Sequence, residues 1–337
     1  MGKVVKLEAQ DKDRPSSGRT ASRRRRRSKT ALVLGGGGFT GGVYEIGALR
    51  ALDLLSVNRT VNQFDVYVGT SAGSFVAALT ANGVTPEEMM RVVNRQAPSP
   101  FRDVDLGQLL RPNALEFLAS ALRMPVRGAK VARTILGNLS QHSLMDIAVG
   151  LAEVLPNGLY TGSGIEDYVR TVLSDPDRCD DFRLLENELY LAATDLDTCE
   201  RIVFGADEWD DVPISTAVRA STALPMVYSP VEVKGRELVD GGIVSTTNLD
   251  IAVEAGAKFV IVVNPLVPYV NDFSKTVSTL TGSRPRRVSD MGFAQIGYQT
   301  FKLLAYQRLH ELARPFAGNR AGHHRPLSIT DAVQKPC

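Results

Sequence analysis

Two short apolar runs each end in a glycine-rich turn that feeds into a helix-like pattern. "ALVL" precedes "GGGGFTGG" at residues 31–42, and "FDVYV" precedes "GTSAGS" at residues 64–74. Runs of four or five apolar residues have the length of buried strands. Parallel neighbours in a sheet need a crossover, usually a helix. The repeated order of strand, turn and helix therefore confines this chain to an α/β fold with a mainly parallel central sheet.

The rest of the pattern supports that frame. The spacing predicts strands at 31–34 and 64–68, each followed by a helix, at 43–55 and up to Ala81. Asn82-Gly83 reads as a left-handed cap, and Thr85-Pro86-Glu87-Glu88 as the start of the next helix. Residues 98–175 read as mainly helical, with segments at 115–122, 131–139, 144–155 and 165–173, an inserted cap over a site or plain packing. Strands at 189–193 and 202–204 flank a turn. A short helix follows at 214–220, then a hairpin at 231–239 around Lys234-Gly235-Arg236. A helix at 248–255, a buried strand at 258–263 and a long amphipathic helix at 291–313 complete the reading.

The 337 residues suffice for one large domain or two small ones, and no apolar run approaches the roughly 18 residues of a membrane span. Cys179, Cys199 and Cys337 stand far apart, which favours reduced thiols and a cytoplasmic location over a disulfide framework. The net charge of +2 conceals an asymmetry: residues 1–30 carry a net +8, the remainder −6. That basic tail is expected to be disordered, and it lacks the apolar core of a secretory signal. Arg23, Arg24, Arg25, Arg26 and Arg27 leave three readings: a solvated tail, peripheral contact with anionic lipid, or contact with nucleic acid. No aromatic residue interleaves with them to stack on bases, so nucleic acid is not expected.

The first glycine turn admits two chemistries. Gly36, Gly38 and Gly41 satisfy G-x-G-x-x-G, the phosphate cradle of a dinucleotide site. The same turn is a row of N–H donors that suits a developing oxyanion. The second turn, Gly69-Thr70-Ser71-Ala72-Gly73, is G-x-S-x-G between a strand and a helix. A nucleophile on such a turn needs small residues two places either side so that strand and helix can approach. Alternatively, Ser71 is a plain helix cap.

A serine hydroxyl needs a base. His142, His310, His323 and His324 all stand outside small-residue loops at strand ends. Asp240 ends a predicted strand and is followed by Gly241 and Gly242, which let another loop come close; it reads as a candidate base or as a turn aspartate.

A glycine-rich loop, then GTSAG, then a distant DGG without a placed histidine, resembles the patatin-like phospholipases. "LYLAATDLDTCERIVF", "AVRASTALPMVYSPVEVKGRELVDGG" and "FVIVVNPL" extend the resemblance over residues 31–266. It implies a three-layer α/β/α fold, Ser71 as nucleophile, Asp240 as general base, and an oxyanion hole from Gly36, Gly37 and Gly38. It implies hydrolysis of acyl-lipid esters through an acyl-Ser71 intermediate, with no metal or cofactor. The implied organisation is a tail at 1–30, a domain at 31–317 (core 31–266, helical extension 275–317) and a loose tail at 318–337. One departure stands out. Phe39-Thr40-Gly41 occupies the place where this family's loop commonly carries Arg or Lys, and the loop is one residue longer before Gly47. The alternatives are a catalytically quiet relative that binds lipid or protein, and an acyltransferase using the same acyl-enzyme.

Overall fold

A computed structural model describes residues 28–94, 111–114, 118, 157–268, 270, 277–279, 282–284, 287–291 and 293–317. Arg23–Arg27, the helix expected at 115–122 except Leu118, the helices expected at 131–139 and 144–155, His142, His323, His324, Cys337 and the tail at 318–337 lie outside the described residues.

In chain order the helices are α1 Gly38–Leu55, α2 Ala72–Ala81, α3 Pro86–Asn94, α4 Ser163–Leu173, α5 Ile214–Ser221, α6 Leu249–Glu254 and α7 Phe293–Ala317. The strands are β1 Lys29–Leu34, β2 Val66–Thr70, β3 Gly158–Tyr160, β4 Glu188–Asp195, β5 Arg201–Phe204, β6 Met226–Tyr228, β7 Val231–Val233, β8 Arg236–Asp240, β9 Ala257–Val263, β10 Val277–Thr279 and β11 Gly282–Arg284. The main sheet runs β7-β8-β4-β2-β1-β9, with β5 also on β4. Strands β9, β1, β2 and β4 are mutually parallel; β5 and β8 pair antiparallel with β4, and β7 pairs antiparallel with β8.

Alternation along β1 and β2 splits the core into two layers. Leu32, Leu34 and Tyr67 face the helices of the larger cluster, which includes Val76, Ala77 and Leu79 of α2 and Val218 of α5. Ala31, Val33, Val66 and Val68 face the opposite way, onto Leu249, Ile251 and Ala252 of α6. Strands covered on both faces read as unbroken apolar runs, which is why "ALVL" and "VYV" are legible. The result is the expected three-layer α/β/α arrangement.

Five features differ from expectation. β1 begins at Lys29, two residues before the expected strand start at Ala31, and the Lys29 ammonium pairs with Glu188. Helix α1 starts at Gly38 and takes Gly41 and Gly42 inside it, because packing outweighs glycine's weak helix propensity. A Cβ at Gly41 would lie 3.1 Å from Pro265 Cγ, so the glycine lets α1 close on the loop after β9. β2 runs two residues later than expected, through Gly69 to Thr70. Among the described residues β9 is an edge strand, not a buried one, and Phe259 is 57% exposed. Helix α7 continues to Ala317, past Arg314 where the periodicity ends.

Elsewhere the local signals hold. Gly83 has φ +81, as a left-handed cap requires. Thr85 and Glu88 form a reciprocal cap: the Thr85 amide donates to Glu88 Oε2 at 2.7 Å, and the Glu88 amide to Thr85 Oγ1 at 3.2 Å.

Candidate active site

Ser71 stands between β2 and α2 with φ 54 and ψ −125, a left-handed conformation that a non-glycine residue adopts only when its surroundings force it. The forcing is visible in its neighbours. A Cβ at Gly69 would lie 2.6 Å from Ser74 Cα, and one at Gly73 would lie 2.4 Å from the Leu34 carbonyl oxygen. Both clashes are with backbone and cannot be relieved by a rotamer change. The turn therefore accepts only glycine at these two positions, which is the physical content of the motif.

Asp240 reaches Ser71 through the register of β4. On one edge of β4, Thr70 of β2 lies opposite Ala192. Asp240 of β8 lies opposite the next residue, Ala193. β5 pairs with Ala192 and Ala193 as well. A strand has two edges, so β8 docks on the same edge as β2, just beyond its end. Asp240 is thereby delivered beside the residue that follows Thr70.

The Ser71 hydroxyl donates to Asp240 Oδ2 at 2.6 Å, with both residues buried. The other carboxylate oxygen, Oδ1, accepts the Gly242 amide at 2.7 Å. Gly241 carries a steric requirement: its Cβ would lie 2.2 Å from the Ala192 carbonyl oxygen. Burial pushes the Asp240 pKa up to about 6, opposed in part by the hydrogen bonds from Ser71 and Gly242. That places the group where it can both take and return a proton near neutrality.

Two residues without a signal in the sequence brace this pair. Ser221, at the end of α5, accepts the Ser71 amide at 3.0 Å and donates to the Ala192 carbonyl at 2.6 Å. Asn248, left-handed at φ 44, donates through Nδ2 to Thr70 Oγ1 at 2.9 Å and to the Ser245 carbonyl at 2.8 Å. Each ties the nucleophile turn to a segment more than a hundred residues away. A buried serine in "RASTALP" gives no hint of such a role in sequence.

The three loop glycines differ in what their amides do. A Cβ at Gly36 would lie 3.3 Å from Ser71 Cβ, so Gly36 faces the nucleophile. Its N–H, however, donates to the Thr246 carbonyl at 3.0 Å. This differs from the expectation that all three amides are donors. Gly37 caps α1, and Gly38, at φ +61, is its first residue, so their amides belong to the helix end whose N–H groups lack intrahelical acceptors. The start of α1 and the start of α2 thus both direct their positive dipole ends to the neighbourhood of Ser71. Phe39 and Thr40, in place of a cation, are exposed on the first turn of α1.

Glu45, one turn further along α1, is fully buried and neither carboxyl oxygen has a hydrogen-bond partner. Burial holds its pKa well above the ordinary carboxylate range, and the nearby Gly35 amide offsets this in part. That amide donates to the Val263 carbonyl at 2.9 Å. His310 lies on α7 against Tyr306. Cys179 and Cys199 are free thiols. Among the described residues no group of three or more His, Cys, Asp or Glu is placed to hold a metal ion, and no helix is long and apolar enough to cross a membrane.

Residues 32–253 match the family described as patatin-like phospholipase. The probable lipid hydrolase 463L of Invertebrate iridescent virus 6 is 22% identical over 223 residues, 66% of this chain and 63% of that protein. The match thus spans less than two thirds of that relative's length. Among solved structures, VipD from Legionella pneumophila aligns over 70% of this chain and 49% of its own, at 17% identity and a TM-score of 0.38. The type III effector ExoU of Pseudomonas aeruginosa aligns over 84% of this chain and 53% of its own, at 17% identity and a TM-score of 0.33.

Proposed function

From the premise that the chain belongs to the patatin-like phospholipase family, we propose that it is a lipid acyl hydrolase that cleaves carboxylic esters through an acyl-Ser71 intermediate. The observation that carries this reading is the 2.6 Å hydrogen bond from the Ser71 hydroxyl to a buried Asp240 carboxylate.

In the first step Asp240 Oδ2 takes the hydroxyl proton as Ser71 Oγ attacks the ester carbonyl. Charge develops on the carbonyl oxygen, and the amides of Gly37 and Gly38 are the donors for it. Such a donor is worth about 3–4 kcal/mol in acyl transfer when aligned on the oxyanion. Collapse expels the alcohol, which takes the proton back from Asp240. In the second step Asp240 removes a proton from water as its oxygen attacks acyl-Ser71, and collapse breaks the acyl–Oγ bond, releasing the fatty acid while Asp240 returns the proton to Ser71 Oγ. Backbone amides supply the oxyanion charge stabilisation, so the loop does not depend on the cation that Phe39-Thr40-Gly41 lacks.

The test is hydrolysis of a chromogenic fatty-acyl ester by the wild type, Ser71→Ala and Asp240→Asn, with fluorophosphonate labelling of Ser71. Undiminished turnover by Ser71→Ala overturns the proposal.

A further inference from the structure

We propose that Phe301 of α7 closes the Gly242 side of the Asp240 carboxylate against water and so sets the strength of the general base. The inference rests on the reading of Asp240 as the base of a lipid acyl hydrolase, and it names the residue that tunes that base. Phe301 acts through Gly242 and Asp240, so it is a positioning residue and not a catalytic one.

The two oxygens of Asp240 have different surroundings. Oδ2 accepts the Ser71 hydroxyl, and Oδ1 is held by the Gly242 amide at 2.7 Å. Gly242 has no side chain with which to cover Oδ1. The position its Cβ would take lies 3.0 Å from Asp240 Oδ1 and 3.6 Å from both Phe301 Cζ and Thr246 Cγ2. The tip of an aromatic ring and a methyl group therefore border the gap that the glycine leaves beside the carboxylate. Asp240 is only 3% exposed in their company.

Helix α7 brings that ring in. Residues four apart share a helix face. Phe301 is half-buried and Ala305, four residues on, is buried, while Leu303 and Leu304 between them are exposed. The docked face is thus Phe301 and Ala305, and the small Ala305 lets the helix lie close to the body, where it packs on α6. The family match ends at residue 253, and α7 begins at Phe293. The surroundings of the base are completed by a helix outside the matched region.

A carboxylate at its ordinary value of 3.8 is a poor acceptor for a serine proton. Burial is the largest influence on Asp240 and raises it to about 6, against the hydrogen bonds from Ser71 and Gly242. Charged groups on the surrounding elements are engaged with other partners. Arg236 of β8 pairs with Asp195 of β4 at 3.0 Å, and Arg219 of α5 with Glu166 at 2.9 Å. Asp250 of α6 pairs with Arg201 at 2.6 Å, and Lys302 of α7 lies over the Tyr298 ring. Strand β2 and helix α2 contain no Asp, Glu, Lys, Arg or His. Dryness is thus the lever on this base, because water admitted at Oδ1 would solvate the charged form and lower its pKa.

The test compares the wild type, Phe301→Ala and Phe301→Leu, each with and without Asp240→Asn. In ester hydrolysis, Phe301→Ala is expected to move the acid limb of the kcat profile down by about one pH unit. It is expected to be about threefold slower than the wild type near pH 8 and no slower near pH 5, since a weaker base stays ionised further into acid. Phe301→Leu keeps an apolar cover and is expected to keep the wild-type limb. A second readout needs no activity. The stability gap that Asp240→Asn opens at about pH 8 is expected to shrink by about half in the Phe301→Ala background and to persist with Phe301→Leu. Each gap is taken within one background, so a general loss of stability cancels. The proposal is overturned if Phe301→Ala slows turnover equally at every pH with limb and gap unmoved, or if Phe301→Leu behaves as Phe301→Ala does. A wild type that neither cleaves the ester nor labels with fluorophosphonate removes the hydrolase reading, and the stability gap still decides the role of Phe301.

Discussion

Thr70 and Asp240 occupy consecutive register positions on one edge of β4, opposite Ala192 and Ala193. The chain separation of 169 residues between Ser71 and Asp240 is thus closed by one strand that serves as a ruler for both. Because the hydroxyl proton has a single carboxylate acceptor in this arrangement, Asp240→Asn is expected to lower ester turnover about 10²–10⁴-fold. Ser71→Ala is expected to lower it to background. Steady-state hydrolysis measures both.

The pKa of Asp240, raised to about 6, sets two pH dependences of opposite sense. Only the carboxylate accepts the Ser71 proton, so kcat is expected to fall about tenfold per pH unit below that value. Stability runs the other way. The fold binds the Asp240 proton more tightly than the unfolded chain, so this contribution is complete below the ordinary value of 3.8 and is lost as pH rises through about 6. Asp240→Asn keeps a neutral group there. It is expected to be more stable than the wild type at pH 8 by an amount on the order of 2–3 kcal/mol, a difference that closes below about pH 4. Thermal melts across pH measure the crossover.

Glycines of the two turns are required for different reasons, and alanine substitution separates them. Gly73→Ala forces a Cβ to within 2.6 Å of the Gly35 carbonyl oxygen as well as against Leu34, and is expected to cost about 3 kcal/mol or more. Gly38→Ala points into open space and meets only the penalty of φ +61, about 1–2 kcal/mol. Denaturant unfolding of the two variants is expected to keep that order.

The Ser221 hydroxyl holds the Ser71 amide and touches no reacting atom, so it positions the nucleophile. Ser221→Ala is expected to slow fluorophosphonate labelling of Ser71 and to lower kcat about 10–100-fold with KM unchanged. A loss confined to melting temperature, with kcat intact, would assign Ser221 to packing alone.

Glu45 is a buried acid whose oxygens lack partners, so removing its polarity should help the fold. Glu45→Met is expected to stabilise the protein by about 1–3 kcal/mol at neutral pH. The carboxyl's raised pKa makes wild-type stability decline as pH climbs above the ordinary carboxylate range, and the variant is expected to flatten that decline.

The parts of this protein legible in sequence are those whose physics is local. The strands 31–34 and 202–204, the Gly83 cap, the Thr85 box and the Lys234-Gly235 hairpin follow from apolar runs, caps and turn chemistry, and each has its counterpart in the structure. So do Ser71 and Asp240 as candidates, because a strained turn needs glycine on both sides and a close-approaching loop needs glycine after the acid. Local rules failed where packing decides. They began α1 at Val43 in place of Gly38, since an isolated helix disfavours glycine and only contact with Pro265 rewards it. They read β9 as buried, since an apolar strand looks the same at an edge as in the middle.

By itself the sequence determined that this chain builds a mainly parallel α/β sheet with a serine on one glycine-walled turn and a glycine-rich loop on another. Tertiary structure alone decided which partners those groups meet. It spends the Gly36 amide on Thr246 and sets Ser221 and Asn248 behind the nucleophile turn. The reason is physical: turns and caps depend on neighbours within a few residues, whereas a hydrogen bond between Ser71 and Asp240 depends on the register of β4, which exists only after the sheet has formed.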